Sequence, residues 1–245
     1  MTKSAAGQHG GPPRFLVTAG NTRERIDAVR DWGNVFTGNT GFAIAQALSA
    51  VGEVDLLTSN RAHLASLAGT FSIHASGFTS HEELKGSLAA VMSRHRYAAV
   101  FMTAAVADYK PRRVYEVLER RPAGEGETEQ WVVRDVQAGK VKSSFQSIAV
   151  LGERTEKLVD LFRGEWGYRG LLVKFKLEVG IAREELLRVA EASRTASGAD
   201  YLVANTLDMV EGAEAGAYLL GATGHEWVPR ASLAARLVKL VQSPG

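Results

Sequence analysis

Tyr97-Ala98-Ala99-Val100-Phe101-Met102-Thr103 is a nearly unbroken apolar run of strand length. A strand that faces water on one side alternates apolar and polar residues; a strand buried on both faces has no need to. The run therefore predicts the middle of a sheet covered on both sides, and its flanks agree. Upstream, Phe15 to Thr18, Val54 to Thr58 and Phe71 to His74 read as strands, and Gly41 to Val51 as a helix with small and apolar residues on most faces. Asn60 can cap a helix after the second strand. Ser80 with Glu83 forms a capping box that opens a helix to about Arg94. Downstream come a strand near Ile148 to Leu151, a helix from Glu153 to Phe162, a strand from Gly170 to Leu177 and a helix from Arg183 to Ser197. A strand from Tyr201 to Ala204, a weaker one from Ala217 to Gly221 and a closing helix from Arg230 to Val241 follow. Repeated β–α units predict an α/β fold, a Rossmann-like, mostly parallel sheet with helices on both faces. Ligands of such sheets bind beyond the carboxyl ends of the strands.

The alternation breaks between Lys110 and Ser144, where Arg, Gly and Glu cluster around one short β segment, Trp131 to Val133. A stretch this long with little structure of its own reads as a lid, a flap or a disordered excursion. The expected organisation is a flexible tail over 1–13 and a single nucleotide-binding α/β domain over 14–245. A flap over about 110–144 is expected to order on a bound ligand.

Composition narrows the functions. The chain has 245 residues, 45% hydrophobic and 23% charged, ordinary values for a globular protein. A net charge of +2 gives no broad basic field for nucleic acid. The lack of cysteine removes disulfides, thiolate metal sites and cysteine nucleophiles, and fits a reducing, cytoplasmic setting. No apolar run reaches the roughly 18 residues that span a bilayer. The polar first 13 residues hold no apolar signal core.

Three segments carry candidate chemistry. Thr37-Gly38-Asn39-Thr40-Gly41 leads into a helix N-terminus, where free N–H groups and the helix dipole favour an anion. The same residues would also serve as an ordinary turn with N-cap residues. The dinucleotide fingerprint is absent, since about 20 residues separate strand and helix where that motif needs a tight glycine turn. Asp108 follows the buried strand and is placed either for ligand work or for a cap or salt bridge. Lys140 and Lys142 alternate, so both ammoniums share one side of an extended chain. They could face a triphosphate or solvent alone.

In combination these segments resemble the phosphopantothenate–cysteine ligases. That family opens on a strand, then Thr-x-Gly-x-Thr, an Asp-x-Val-Arg segment, and Asn-x-(Ser/Thr)-(Ser/Thr)-Gly-x-x-Gly before a helix. Thr18, Gly20, Thr22, Ile26, Asp27, Val29, Arg30, Asn34, Thr37, Gly38 and Gly41 fall in register. Ala104-Ala105-Val106-Ala107-Asp108-Tyr109 repeats a second signature unchanged. Lys140-Val141-Lys142, Phe175-Lys176-Leu177-Glu178 and Val203-Ala204-Asn205 resemble three more, so the likeness covers most of 14–241. The departures are Phe36 for a hydroxyl residue, Asn39 where bacterial fusion proteins often carry Lys, and Lys174 for the Gly before Phe175. Lys174 would crowd a base pocket.

The resemblance implies an enzyme that joins 4'-phosphopantothenate to cysteine through an acyl-nucleotide, in coenzyme A biosynthesis. It implies that Asn34 holds the carboxylate with Arg30 supporting it. Gly20, Thr22, Thr37, Gly38 and Gly41 would line nucleotide and substrate sites, with Ala104, Ala105 and Asp108 on the intermediate and Phe175 near the base. Lys140 would close over the phosphates, with Lys142 beside it. The implied co-substrate is CTP or ATP with Mg2+, without a protein metal site, flavin or NAD(P). The resemblance also implies a homodimer of this chain that acts on small-molecule substrates, with no nucleic acid and no membrane. The rivals are a non-catalytic nucleotide-binding protein on the same fold, a Rossmann-type oxidoreductase and a flavin-dependent decarboxylase. The oxidoreductase lacks its glycine fingerprint and its Tyr-x-x-x-Lys pair, and the decarboxylase its cysteine.

Overall fold

The structure, a computed structural model, describes residues 11–70, 72–124, 126, 128–212 and 214–242. Most of the expected tail, 1–13, lies outside these residues, as does Phe71. The apolar run becomes β6 (Ala99–Met102). It lies inside an eight-stranded sheet, between β1 (Arg14–Ala19) and β10 (Leu171–Glu178). Beyond β1 lie β4 (Glu53–Thr58) and β5 (Ile73–Gly77), and beyond β10 lies β11 (Tyr201–Thr206), all parallel. β12 (Gly216–Gly221) and β13 (Gly224–Pro229) close that side as an antiparallel pair. The mostly parallel α/β fold read from the sequence is thus the observed one.

β6 needs apolar residues at every position because both of its faces are covered. Ala99 and Phe101 pack with Val17, Val173 and Val203 against α1 (Asn39–Leu48) and α6 (Arg230–Gln242), through Ile44, Leu48, Leu233 and Leu237. Val100 and Met102 face the other way, with Leu16 and Leu172, onto Leu84 and Leu88 of α3 (His81–Arg94) and Leu158 and Phe162 of α4 (Leu158–Arg163). α5 (Arg183–Ala196) covers β11 on that second face. Both caps form. Asn60 accepts from Ala62 N–H at 3.0 Å before α2 (Arg61–Ser66), and Ser80 accepts from Glu83 N–H at 3.2 Å. Glu83 reaches back to Thr79 N–H at 2.7 Å, one residue earlier than in a standard capping box.

Three expectations need correcting. Residues 110–144 are not largely without structure: β7 (Tyr109–Pro122) and β8 (Glu129–Asp135) form an antiparallel pair. The strand at Ile148 belongs here and not to the main sheet. As β9 (Ile148–Arg154) it pairs with β7 and completes a separate three-stranded sheet. Glu153 and Arg154 end that strand, so the helix expected from Glu153 begins only at Leu158. The sequence hid this arm because β8 is exposed along its whole length, so no buried face imposes alternation. A short hairpin of β2 (Arg23–Arg25) and β3 (Asp31–Gly33), and strand β13, were also unforeseen.

Candidate functional site

An open cleft of about 710 Å³ lies at the carboxyl ends of β1, β6, β10 and β11. Gly20, Phe36, Thr37, Gly38, Asn39 and Gly41 form one wall, Thr103 to Ala105 the floor, and Phe175, Asn205 and the turn from Leu207 to Glu211 the other wall. The first wall depends on two glycines. Gly38 has φ +81°, and a Cβ there would stand 2.0 Å from the Gly20 nitrogen. A Cβ on Gly41 would stand 2.1 Å from Thr103 Oγ1 and 2.8 Å from the Thr18 carbonyl. These contacts press the start of α1 onto the ends of β1 and β6. Gly38, the N-cap, has no side chain to satisfy the first N–H groups of α1, which stay available at the cleft.

The floor is shaped by hydroxyls behind it. Thr18 Oγ1 accepts from the N–H groups of Thr103 and Ala104, both at 3.1 Å. Thr22 is fully buried, accepts from Ala107 N–H at 2.8 Å, and donates its own N–H to the Ala105 carbonyl at 3.1 Å. Thr22 therefore does not line the cleft; it braces the Ala104 to Asp108 loop. Asn34 sits at the rim and donates to the Ala105 carbonyl at 3.3 Å, while its own carbonyl accepts from the Asn21 amide.

Asp27 organises the next layer. One carboxylate oxygen accepts from Val29 N–H at 2.9 Å and Arg30 N–H at 3.0 Å. The other accepts from Val141 N–H at 3.1 Å and pairs with the Arg30 guanidinium at 2.7 Å. The Val29 N–H, with the Val141 N–H and Arg30 adding to it against the opposing effect of burial, holds Asp27 below the usual carboxylate range. The guanidinium also donates to the Val141 carbonyl, and Ala28 N–H to that of Gly139 at 2.8 Å. Arg30 and the Lys140 segment are thus tied together through Asp27 and Val141. Val141 is buried, and Lys140 and Lys142 are exposed on either side of it, outside the cleft lining.

Asp108 is exposed at the start of the arm and does not line the cleft; its carbonyl accepts from Thr155 N–H at 2.9 Å. Lys174 does not crowd the cleft. Strand alternation turns it to the opposite face, where its ammonium donates to Ser193 Oγ and carbonyl at 3.0 and 3.2 Å. Burial pushes its pKa down, with Asp160 opposing. Residues the sequence did not single out also line the cleft: Asp208, Glu211 and Arg230. They lie on a turn and a helix start with no motif to mark them.

A doubly covered α/β sheet with an anion-receptive helix start at its carboxyl end defines the class of protein. Residues 12–125 match the family described as DNA/pantothenate metabolism flavoprotein C-terminal domain. This match bears out the resemblance read from the chain's motifs. It is 30% identical over 218 residues to the coenzyme A biosynthesis bifunctional protein CoaBC of Thermococcus kodakarensis, covering 89% of this chain and 47% of that protein. The chain thus spans about half the length of the curated relatives it matches. Among solved structures, the DNA/pantothenate metabolism flavoprotein from Streptococcus pneumoniae superposes with a TM-score of 0.75. It is 22% identical and covers 94% of this chain and 98% of its own. A mutant of Cab2 in complex with phosphopantothenate-cysteine gives 0.66 at 14% identity, over 94% and 89% of the two chains. At these identities the structures speak for the fold.

Proposed function

We propose that this chain joins 4'-phosphopantothenate to cysteine at the expense of a nucleoside triphosphate. The observation that carries the reading is one of convergence. The family's strand-end signatures, far apart in sequence, meet around one cleft, with Gly38 to Gly41, Ala104–Ala105, Phe175 and Asn205 all on its surface and Asn34 at its rim. In the first half-reaction a carboxylate oxygen of the acid bonds to the α-phosphorus and pyrophosphate leaves. In the second, the cysteine nitrogen bonds to the acyl carbon, loses a proton, and the nucleoside monophosphate leaves.

The protein's work in both steps is positioning and neutralisation of charge. Asn34 donates to the acid without adding charge of its own, Arg30 and Asp27 hold the neighbouring turn, and the α1 N–H groups receive phosphate. Phe175 offers a surface for the base. Lys140 and Lys142 approach the phosphates when the segment tied to Asp27 moves inward, and Asp108 contacts the intermediate from the edge of the arm. Magnesium would arrive on the triphosphate, which is CTP or ATP. The same reading includes a homodimer and no flavin or NAD(P).

The test is pyrophosphate release with 4'-phosphopantothenate and either nucleotide. Without cysteine it should stop near one equivalent per site, and cysteine should restore turnover. No release with either nucleotide would overturn the reading in favour of a non-catalytic nucleotide-binding protein.

A further inference from the structure

Behind the first wall of the cleft lies a buried histidine that the chemistry above does not use. His63, in α2, is 5% exposed, and its ring stacks on Phe42 of α1 at 4.2 Å. Nδ1 is 3.2 Å from Thr58 Oγ1, and Nε2 is 3.1 Å from Asn39 Oδ1. The partners fix the protons. Thr58 Oγ1 already accepts from Asn60 N–H at 3.2 Å, and Thr58 is fully buried, so its own proton is directed to Nδ1. A neutral imidazole that accepts at Nδ1 carries its hydrogen on Nε2, and that hydrogen goes to Asn39 Oδ1. The Asn60 amide, 3.3 Å from Nε2, donates instead to the Thr37 carbonyl at 3.0 Å. Burial pushes the His63 pKa down, which keeps the ring neutral.

Asn39 is the first residue of α1 and lines the cleft. Its amide has two faces of opposite sign: Nδ2 would attract a phosphate oxygen and Oδ1 would repel it. His63 holds Oδ1, and among the described residues Nδ2 makes no hydrogen bond. We infer that Asn39 contacts the phosphates of the nucleotide through Nδ2, and that His63 is the positioning residue that sets the direction of this amide. The inference rests on the ligase reading and adds to it a neutral donor of fixed orientation beside the helix N–H groups.

Calorimetric titration of the full chain with Mg–CTP and Mg–ATP tests it, with a melting curve for each variant. Asn39→Asp keeps the acceptor for His63 and replaces the donor by an anion. It should weaken the nucleotide that wild type binds by tenfold or more, on the order expected for losing a hydrogen bond to a charged group. His63→Gln retains a neutral N–H donor near the Nε2 position and should bind within about threefold of wild type. His63→Phe keeps the stacked ring without the donor and should bind at least about fivefold more weakly. A residue that only fills space would give the reverse order, with Phe harmless and Gln damaging, and that result would overturn the positioning role. Unchanged binding by folded Asn39→Asp would overturn the inference alone. Wild-type protein that binds neither nucleotide would remove the ligase reading and this inference with it.

Discussion

The main sheet and the arm are both β structure, yet they are held by different forces. In the main sheet, β1 and β6 are buried along nearly their whole length, and Phe101 and Leu16 are without exposed surface. In the arm, Val114 is fully buried, while Leu118, Trp131, Val132 and Val133 are each at least 40% exposed. Ion pairs such as Arg112–Glu153 at 2.6 Å, and the Arg120 guanidinium 4.5 Å from the Trp131 ring, hold the arm together at its surface. The difference teaches where this protein can be changed. The sheet fixes positions and tolerates little; the arm presents surface and charge and tolerates much.

Core truncation should separate the two most strongly. Phe101→Ala removes a fully buried ring between β6 and α1 and should cost about 3–5 kcal/mol in denaturant unfolding. Val132→Ala on the arm should cost less than about 1 kcal/mol. Equal losses would break the comparison.

At the rim of the sheet, if Asn34 holds the acid as proposed, Asn34→Asp sets an anion beside an anion while the fold is kept. Single-turnover pyrophosphate release should fall by roughly two to three orders of magnitude, the range for one transition-state donor, with nucleotide affinity little changed. At the root of the arm, Lys140→Gln should slow the same release by about tenfold, since a single exposed charge is lost. If the Lys140 variant were the slower of the two, the arm and not the sheet would carry the chemistry.

Smaller effects test the same division. His63 titrates near 6.5 when unfolded and lower when folded, so the unfolded chain takes up more protons as pH falls below about 6.5. The folded protein should lose melting temperature between pH 7 and 5.5, and His63→Gln should lose less. On the arm, Arg112→Ala should change stability by only about 0.2–1 kcal/mol, an effect reduced by salt.

The same contrast explains what the sequence revealed. β6, β10 and β11 were legible because burial on both faces writes itself as unbroken apolar residues. The cleft's first wall was legible because Gly38 and Gly41 have packing that only glycine allows. The arm was hidden because its alternation is diluted by Arg and Glu that pair across strands. Lys174 was misjudged because its neighbour in sequence, Phe175, lies on the other face of the sheet. The bracing role of Thr22, whose hydroxyl accepts from Ala107 N–H, has no mark in the motif spacing because its partner lies 85 residues away. His63 gave no signal, because its partners at Thr58 and Asn39 meet only in three dimensions.

The pairing of Tyr109 with Arg154 places the two ends of the arm side by side across adjacent strands. The chain enters the arm and leaves it again within about one strand spacing, near 5 Å. The arm is therefore an inlay whose length is invisible to the scaffold. Residues can be added or trimmed in matched pairs around the turn between Pro122 and Glu129 without moving either end. A longer turn adds only a slowly growing closure entropy, about 0.6 kcal/mol per doubling. Such a design leaves a lineage free to remodel the arm, or an engineer to graft onto it, while the strand ends that form the cleft stay where they are.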